Sequence, residues 1–193
     1  MPQVGATGYR PISPLTDEHP VTHAQRFSER GEPCHGARGE LAAAGLVPAS
    51  PEQIFEFLAD LENHWALADR FIEVLDLSGP PGARNGGRVR LRGPFGSRRT
   101  ATTRVEAAHP THLMIGTAVM GRRTRACVSW TLTPSDSGTS VRLTATLDRA
   151  GLLDRFLLLL GGRWWMRRRF VAVLVRLADR FSEMATTAGE AGH

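Results

Sequence analysis

The chain has 193 residues, 41% of them hydrophobic, enough for one buried core but slightly low for a chain folded throughout. All 24 basic residues are Arg, which reads as GC-rich coding, and against 19 acidic residues they leave a formal net charge of +5. An acidic ligand or anionic lipid therefore stays in play, whereas the scattering of the charge, with no long basic run, argues against nucleic acid.

Two cysteines, Cys34 and Cys127, make neither a disulfide framework nor a zinc spacing. The longest purely apolar run, Phe156 to Leu160, falls far short of the ~20 residues of a membrane-spanning helix. Residues 1 to 37 are rich in Pro, Gly, His, Thr and charge, without apolar periodicity, and are expected to be a disordered tail. The start, Met1-Pro2-Gln3-Val4, lacks the charged-then-apolar pattern of a signal, so a cytoplasmic protein is expected.

A weak, alanine-rich strand is predicted at about Glu40 to Val47. Pro48-Ala49-Ser50-Pro51-Glu52-Gln53 then reads as a helix start, with Ser50 as N-cap, Pro51 at the first helical position and Gln53 completing a capping box. Ile54, Phe55, Phe57, Leu58 and Leu61 follow at helical spacing, and a second short helix is predicted over Asn63 to Asp69. From Phe71 the period changes to two. Strands are predicted over Phe71–Leu77, Arg88–Arg92, Arg98–Ala107, Leu113–Val119, Arg123–Thr133 and Val141–Leu147, separated by Gly- and Pro-rich turns. In the fifth of these, Thr124, Ala126, Val128, Trp130 and Leu132 share one face, while Arg123, Arg125 and Ser129 take a wet one.

The last element runs from Leu152 to about Met184, with Leu152, Leu153, Phe156, Leu157, Leu160, Trp164, Val171, Leu174, Val175, Ala178 and Phe181 at steps of three and four. Gly161-Gly162 interrupts this stripe, and a kink is expected there. Residues 185–193 are assigned to a C-terminal tail. A sheet with one apolar face wrapped on a long helix satisfies these patterns together, an α+β arrangement of about seven strands.

This order, with Val47-Pro48-Ala49-Ser50-Pro51-Glu52-Gln53-Ile54-Phe55-Glu56-Phe57-Leu58-Ala59-Asp60 at its start and Trp130-Thr131-Leu132-Thr133-Pro134 through Gly138-Thr139-Ser140-Val141 near its end, resembles the START-related helix-grip superfamily. It is most similar to the bacterial polyketide cyclase/dehydrase and lipid-transport (SRPBCC) group, over residues 38–184. The resemblance implies a cavity between sheet and long helix that holds a hydrophobic or amphipathic molecule. It also implies an entrance gated by the hairpin tips Gly93–Ser97 and Met120–Arg122. Alternate turns of an up-and-down meander lie at one end of the sheet, so these tips are neighbours and Leu152–Leu160 lies beside them. Arg98, Arg99, Arg122 and Arg123 collect at that end, either guiding an anionic ligand or membrane or simply solvated.

The residues named for the ligand are Phe55, Trp65, Leu91, Phe95, Val128, Trp130, Phe156, Leu160, Trp164 and Arg167. Each aromatic among them also has an ordinary reading as core, and Arg167 one as a side chain snorkelling to water. Arg167, His64 and Thr103 are weak catalytic candidates for polarising a carbonyl. His109 and His112 flank a turn, and no ligand set for a metal stands out. Asp60 is explained by capping or loop bracing.

The favoured expectation is a carrier or binding protein for a lipid, quinone or polyketide-like ligand, without cofactor or metal. A polyketide cyclase or aromatase-type enzyme is the first alternative. A peripheral module that contacts an anionic membrane or a protein is the second. Neither the ligand, the oligomeric state nor the purpose of the N-terminal tail is legible.

Overall fold

The computed structural model describes residues 40–68, 71–93, 96–151, 156 and 158–190. The assigned tail 1–37, Phe95, Leu152, Leu153 and Leu157 lie outside them. Seven strands form one antiparallel sheet: β1 (Leu41–Val47), β2 (Ile72–Ser78), β3 (Gly86–Arg92), β4 (Arg98–His109), β5 (Leu113–Met120), β6 (Thr124–Ser135) and β7 (Gly138–Arg149). Their order is β1-β7-β6-β5-β4-β3-β2, an up-and-down meander whose last strand returns beside the first. Two short helices, α1 (Pro51–Ala59) and α2 (Leu61–Ala66), connect β1 to β2, and α3 (Arg163–Glu190) closes the chain. This is the expected α+β helix-grip architecture.

Local chemistry sets the first connection. Ser50 caps α1 through the expected capping box, its hydroxyl accepting from the Gln53 amide while the Gln53 side chain accepts from the Ser50 N–H at 3.1 Å. Asp60 ends α1 and starts α2. Its Oδ1 accepts from Glu62 N–H at 2.9 Å, and its Oδ2 accepts from Gly82 N–H at 2.8 Å, so one carboxylate caps a helix and braces the β2–β3 loop. Arg84 adds an ion pair to Glu62 across the same junction.

The sheet curves where its register shifts, between Val74 and Asp76, Val105 and Ala107, and Arg125 and Ala126. At Gly87 a side chain is excluded, because a Cβ there would stand 2.3 Å from the Asp76 carbonyl oxygen. The concave face and α3 enclose the core of Val47, Ile54, Leu58, Trp130, Leu132, Val141, Leu143, Phe170, Leu174 and Leu177. Phe57 meets Phe181 edge-on at 5.7 Å, fastening α1 to α3, and Arg176 Nη1 donates to the Leu67 carbonyl at 2.9 Å.

Three details differ from the sequence reading, and one expected break is found. The outer face is not uniformly wet: Ser129, Thr144 and Thr146 are buried, and the Ser129 and Thr144 hydroxyls are hydrogen-bonded at 2.5 Å. Cys127 on that face is not a free thiol, a pairing that the count of two cysteines did not suggest. The long element is two helical pieces kinked at Leu160 and Gly161, where Gly161 adopts φ +99°; the helix beyond the kink starts at Arg163, and Leu152 lies outside the described residues. That is the expected break, at a conformation glycine takes without strain. At its far end the helix passes Met184 and continues to Glu190, with the hydroxyls of Ser182, Thr186 and Thr187 each donating to a carbonyl four residues back.

Candidate functional site: an apolar cavity between sheet and helix

The break at Gly161 decides which side of α3 faces the sheet. A helix turns about 100° per residue, so a stripe drawn continuously through a non-helical residue emerges rotated: Leu174, Ala178 and Phe181 of that stripe still meet the core, whereas Trp164, Val171 and Val175 do not. Beyond the break the inward residues are Gly162, Met166, Phe170, Val173, Leu174, Leu177 and Phe181. Trp164, Arg167, Val171 and Val175, with Phe156 and Leu160 ahead of the break, are exposed. Phe156, Leu160, Trp164 and Arg167 are therefore corrected from ligand contacts to surface residues. The Trp164 ring instead lies under the Arg168 guanidinium, 4.4 Å from its centroid.

Inside, sheet and helix leave a cavity of ≈ 160 Å³. Its walls include Trp65 from α2, Phe71 and Ile72 at the start of β2, Leu91, Ala101, Thr103, Met114, Met120, Val128 and Trp130 from the strands, and Met166, Phe170 and Val173 from α3. Of the expected ligand contacts, Trp65, Leu91, Val128 and Trp130 line it. Phe55 does not; it packs against the core, because its place on α1 turns it towards other side chains. Met114, Met120, Met166, Phe71 and Phe170 were not anticipated. Two signals pointed to some of them: Met166 and Phe170 are spaced four apart on α3, and Met114 and Met120 share the parity of one strand face.

A second cavity of ≈ 150 Å³ adjoins the first, sharing Phe71, Leu91, Met120, Ala126, Ala145 and Met166 in its walls. It is also lined by Gly93, Ser97, Arg99, Leu158, Gly162 and Trp165. The β3–β4 tip, the Met120 end of β5 and the kinked segment Leu158–Gly162 before α3 thus meet around one space, as the meander argument requires. Of the four arginines assigned to the entrance, Arg99 lines this cavity, while Arg98, Arg122 and Arg123 are exposed outside it.

The polar groups of the site are few. His64 stands between two indoles, 5.0 Å from Trp65 and 4.9 Å edge-on from Trp130, and its Nε2 accepts from Trp130 Nε1–H at 3.0 Å. Burial pushes the His64 pKa down to about 4, against a smaller opposing pull from the Leu58 carbonyl. The imidazole is thus neutral at pH 7, with its proton on Nδ1, which makes no hydrogen bond of normal geometry. The Trp65 indole N–H is likewise buried without a partner. Thr103 lines the cavity, but its hydroxyl donates to the Gly87 carbonyl at 3.3 Å. Arg167, His64 and Thr103 therefore do not converge on one reacting position. Among the described residues, no group of three or more His, Cys, Asp or Glu comes together, and no helix is long and apolar enough to cross a membrane.

A family model described as polyketide cyclase / dehydrase and lipid transport matches residues 40–182, which spans β1 through most of α3. The chain belongs to this family. Solved structures repeat its fold. TTHA0849 from Thermus thermophilus is 23% identical, with a TM-score of 0.61, over 75% of this chain and 98% of that one. A Rhodobacter sphaeroides protein is also 23% identical, with a TM-score of 0.55, over 78% and 96%. DR_A0006 from Deinococcus radiodurans is 15% identical, with a TM-score of 0.52, over 76% and 98%. No curated protein sequence matches the chain. The polyketide cyclase / dehydrase and lipid transport fold suggests ligand binding, and the cavity is the place to look for it.

Proposed function

We propose that the protein binds and carries a small, mostly apolar molecule in the joined cavities between the sheet and α3. One observation carries the reading: the cavity walls are almost entirely apolar. A dry cavity of about 150 Å³ accommodates a benzene-sized group, so two adjoining ones suit a fused ring system or a folded chain. A mostly apolar ligand, such as a quinone, polyketide-like ketone or lipid, fits these walls. The cyclase alternative gains no support, because the three residues that would carry it are exposed, neutral and occupied, or already donating.

Native mass spectrometry of the freshly purified protein, followed by titration with fatty acids, quinones and polycyclic aromatics, tests the reading. One molecule is expected to bind with unit stoichiometry. Ala126→Phe, which fills the wall shared by both cavities, is expected to abolish uptake while the protein stays folded. Arg167→Ala is expected to leave uptake unchanged. Equal uptake by wild type and Ala126→Phe would place the ligand elsewhere and end the proposal.

A further inference from the structure

The surface that the helix break turns outward has its own composition. Leu159 is 82% exposed, Trp164 63%, Phe156 57% and Leu160 55%, four large apolar side chains within nine consecutive residues. Soluble proteins expose such residues singly; a contiguous group of them marks a contact surface. Val171, two turns after Trp164, and Val175, one turn further, are also exposed and continue the same side of α3. Arg163, Arg167 and Arg168 are exposed among these residues. From Phe156 to Ala178 the sequence holds five arginines and no Asp or Glu. The patch is therefore amphipathic in a specific way: aliphatic side chains at the kink, and an indole among cationic guanidiniums on the first turns of α3.

We infer that this face, Leu159, Leu160 and Trp164 backed by Arg163, Arg167 and Arg168, docks the protein on an anionic lipid bilayer. The aliphatic side chains of the kink enter the acyl boundary. Trp164 lies at headgroup depth, and the arginines pair with lipid phosphates. The exposed guanidiniums of Arg163, Arg167 and Arg168 select an anionic partner, and the exposed Leu159 selects one with a deformable apolar layer instead of a merely acidic surface. The position adds a purpose. Leu158 and Gly162, from the same kinked segment, line the second cavity, so the docked face lies beside the space proposed to hold the ligand. An apolar ligand would then pass between bilayer and cavity without crossing bulk water. Docking stands on the surface alone; only this use of it rests on the binding reading.

The test is co-sedimentation of the full chain with vesicles of phosphatidylcholine alone and of phosphatidylcholine with phosphatidylglycerol. Binding is expected to the anionic vesicles, weakening as salt is added, with little to the neutral ones. Leu159→Asp and Trp164→Asp, at surface positions where folding is unaffected, are each expected to lower the partition coefficient about tenfold or more. Arg167→Glu is expected to lower it further on anionic vesicles only. Arg88→Glu, a charge reversal of the same size on β3, serves as the control and is expected to retain binding. Absence of anionic binding by the wild type would overturn the inference, as would binding that Leu159→Asp and Trp164→Asp leave intact. Concentration-dependent self-association that Leu159→Asp dissolves, without vesicle binding, would also overturn it and assign the face to a second copy of the chain. None of these readouts requires the cavity ligand, so failure here and failure of ligand uptake are separate results.

Discussion

His64 offers the most direct check on the cavity wall. Its imidazole has a pKa of about 4 when folded and 6.5 as its ordinary value, so the native state resists a proton that the unfolded chain accepts. The sign follows: above pH 6.5 both states are neutral and the group is silent, and as pH falls from 6.5 towards 4 it favours unfolding. Below about pH 4 its effect levels off. At about 1.36 kcal/mol per unit, the displacement amounts to about 3 kcal/mol in full, of which about 2 kcal/mol is felt between about pH 7 and 4.5. His64→Phe removes the titration but leaves Trp130 Nε1–H without its acceptor at 3.0 Å, which costs about 1–3 kcal/mol at every pH. The variant should therefore be weaker than wild type at about pH 7 and close to it, or stronger, at about pH 4.5. Urea denaturation of both proteins at the two pH values measures this as a difference of differences, in which all other titrating groups cancel. Stability curves that fall in parallel for the two proteins would refute the buried, neutral assignment. So would an imidazole NMR titration of His64 with a midpoint at its ordinary value of 6.5.

Two further outcomes probe the frame that holds the site. Leu177→Ala, at a fully buried position of α3 facing the core, is expected to lose about 2–5 kcal/mol of stability by denaturant unfolding. Asp60→Ala removes the acceptor of both Glu62 and Gly82 N–H and is expected to cost about 2–3 kcal/mol, with Asp60→Asn intermediate because its single oxygen serves only one of the two.

The strands and the capped helix start were legible because they are local. Ser50, Pro51 and Gln53 satisfy the first turn of α1 within four residues, and alternation in Arg88–Arg92 or Val141–Leu147 follows from the pleat of a single strand. The neighbouring of the Gly93 and Met120 tips was legible for a similar reason, since a meander admits only one arrangement of alternate turns. Four cavity residues, Trp65, Leu91, Val128 and Trp130, could be named once the family resemblance implied a cavity between sheet and helix.

The phase of α3 could be read only in part: Leu174, Ala178 and Phe181 meet the core as their spacing suggested. A wheel that assumes continuous helix places Leu160, Trp164 and Arg167 inward, and one residue at φ +99° rotates the register so that Met166 and Phe170 take their place. Likewise, nothing local distinguishes His64 as a polar residue from His64 as the acceptor of a distant indole, that of Trp130. Composition and periodicity determined that this chain forms a curved sheet over a helix, because burying apolar stripes leaves few alternatives. Which side chains border the empty space, and which apolar residues are left facing outward, was decided only by tertiary packing, because both depend on the angle at which distant elements meet.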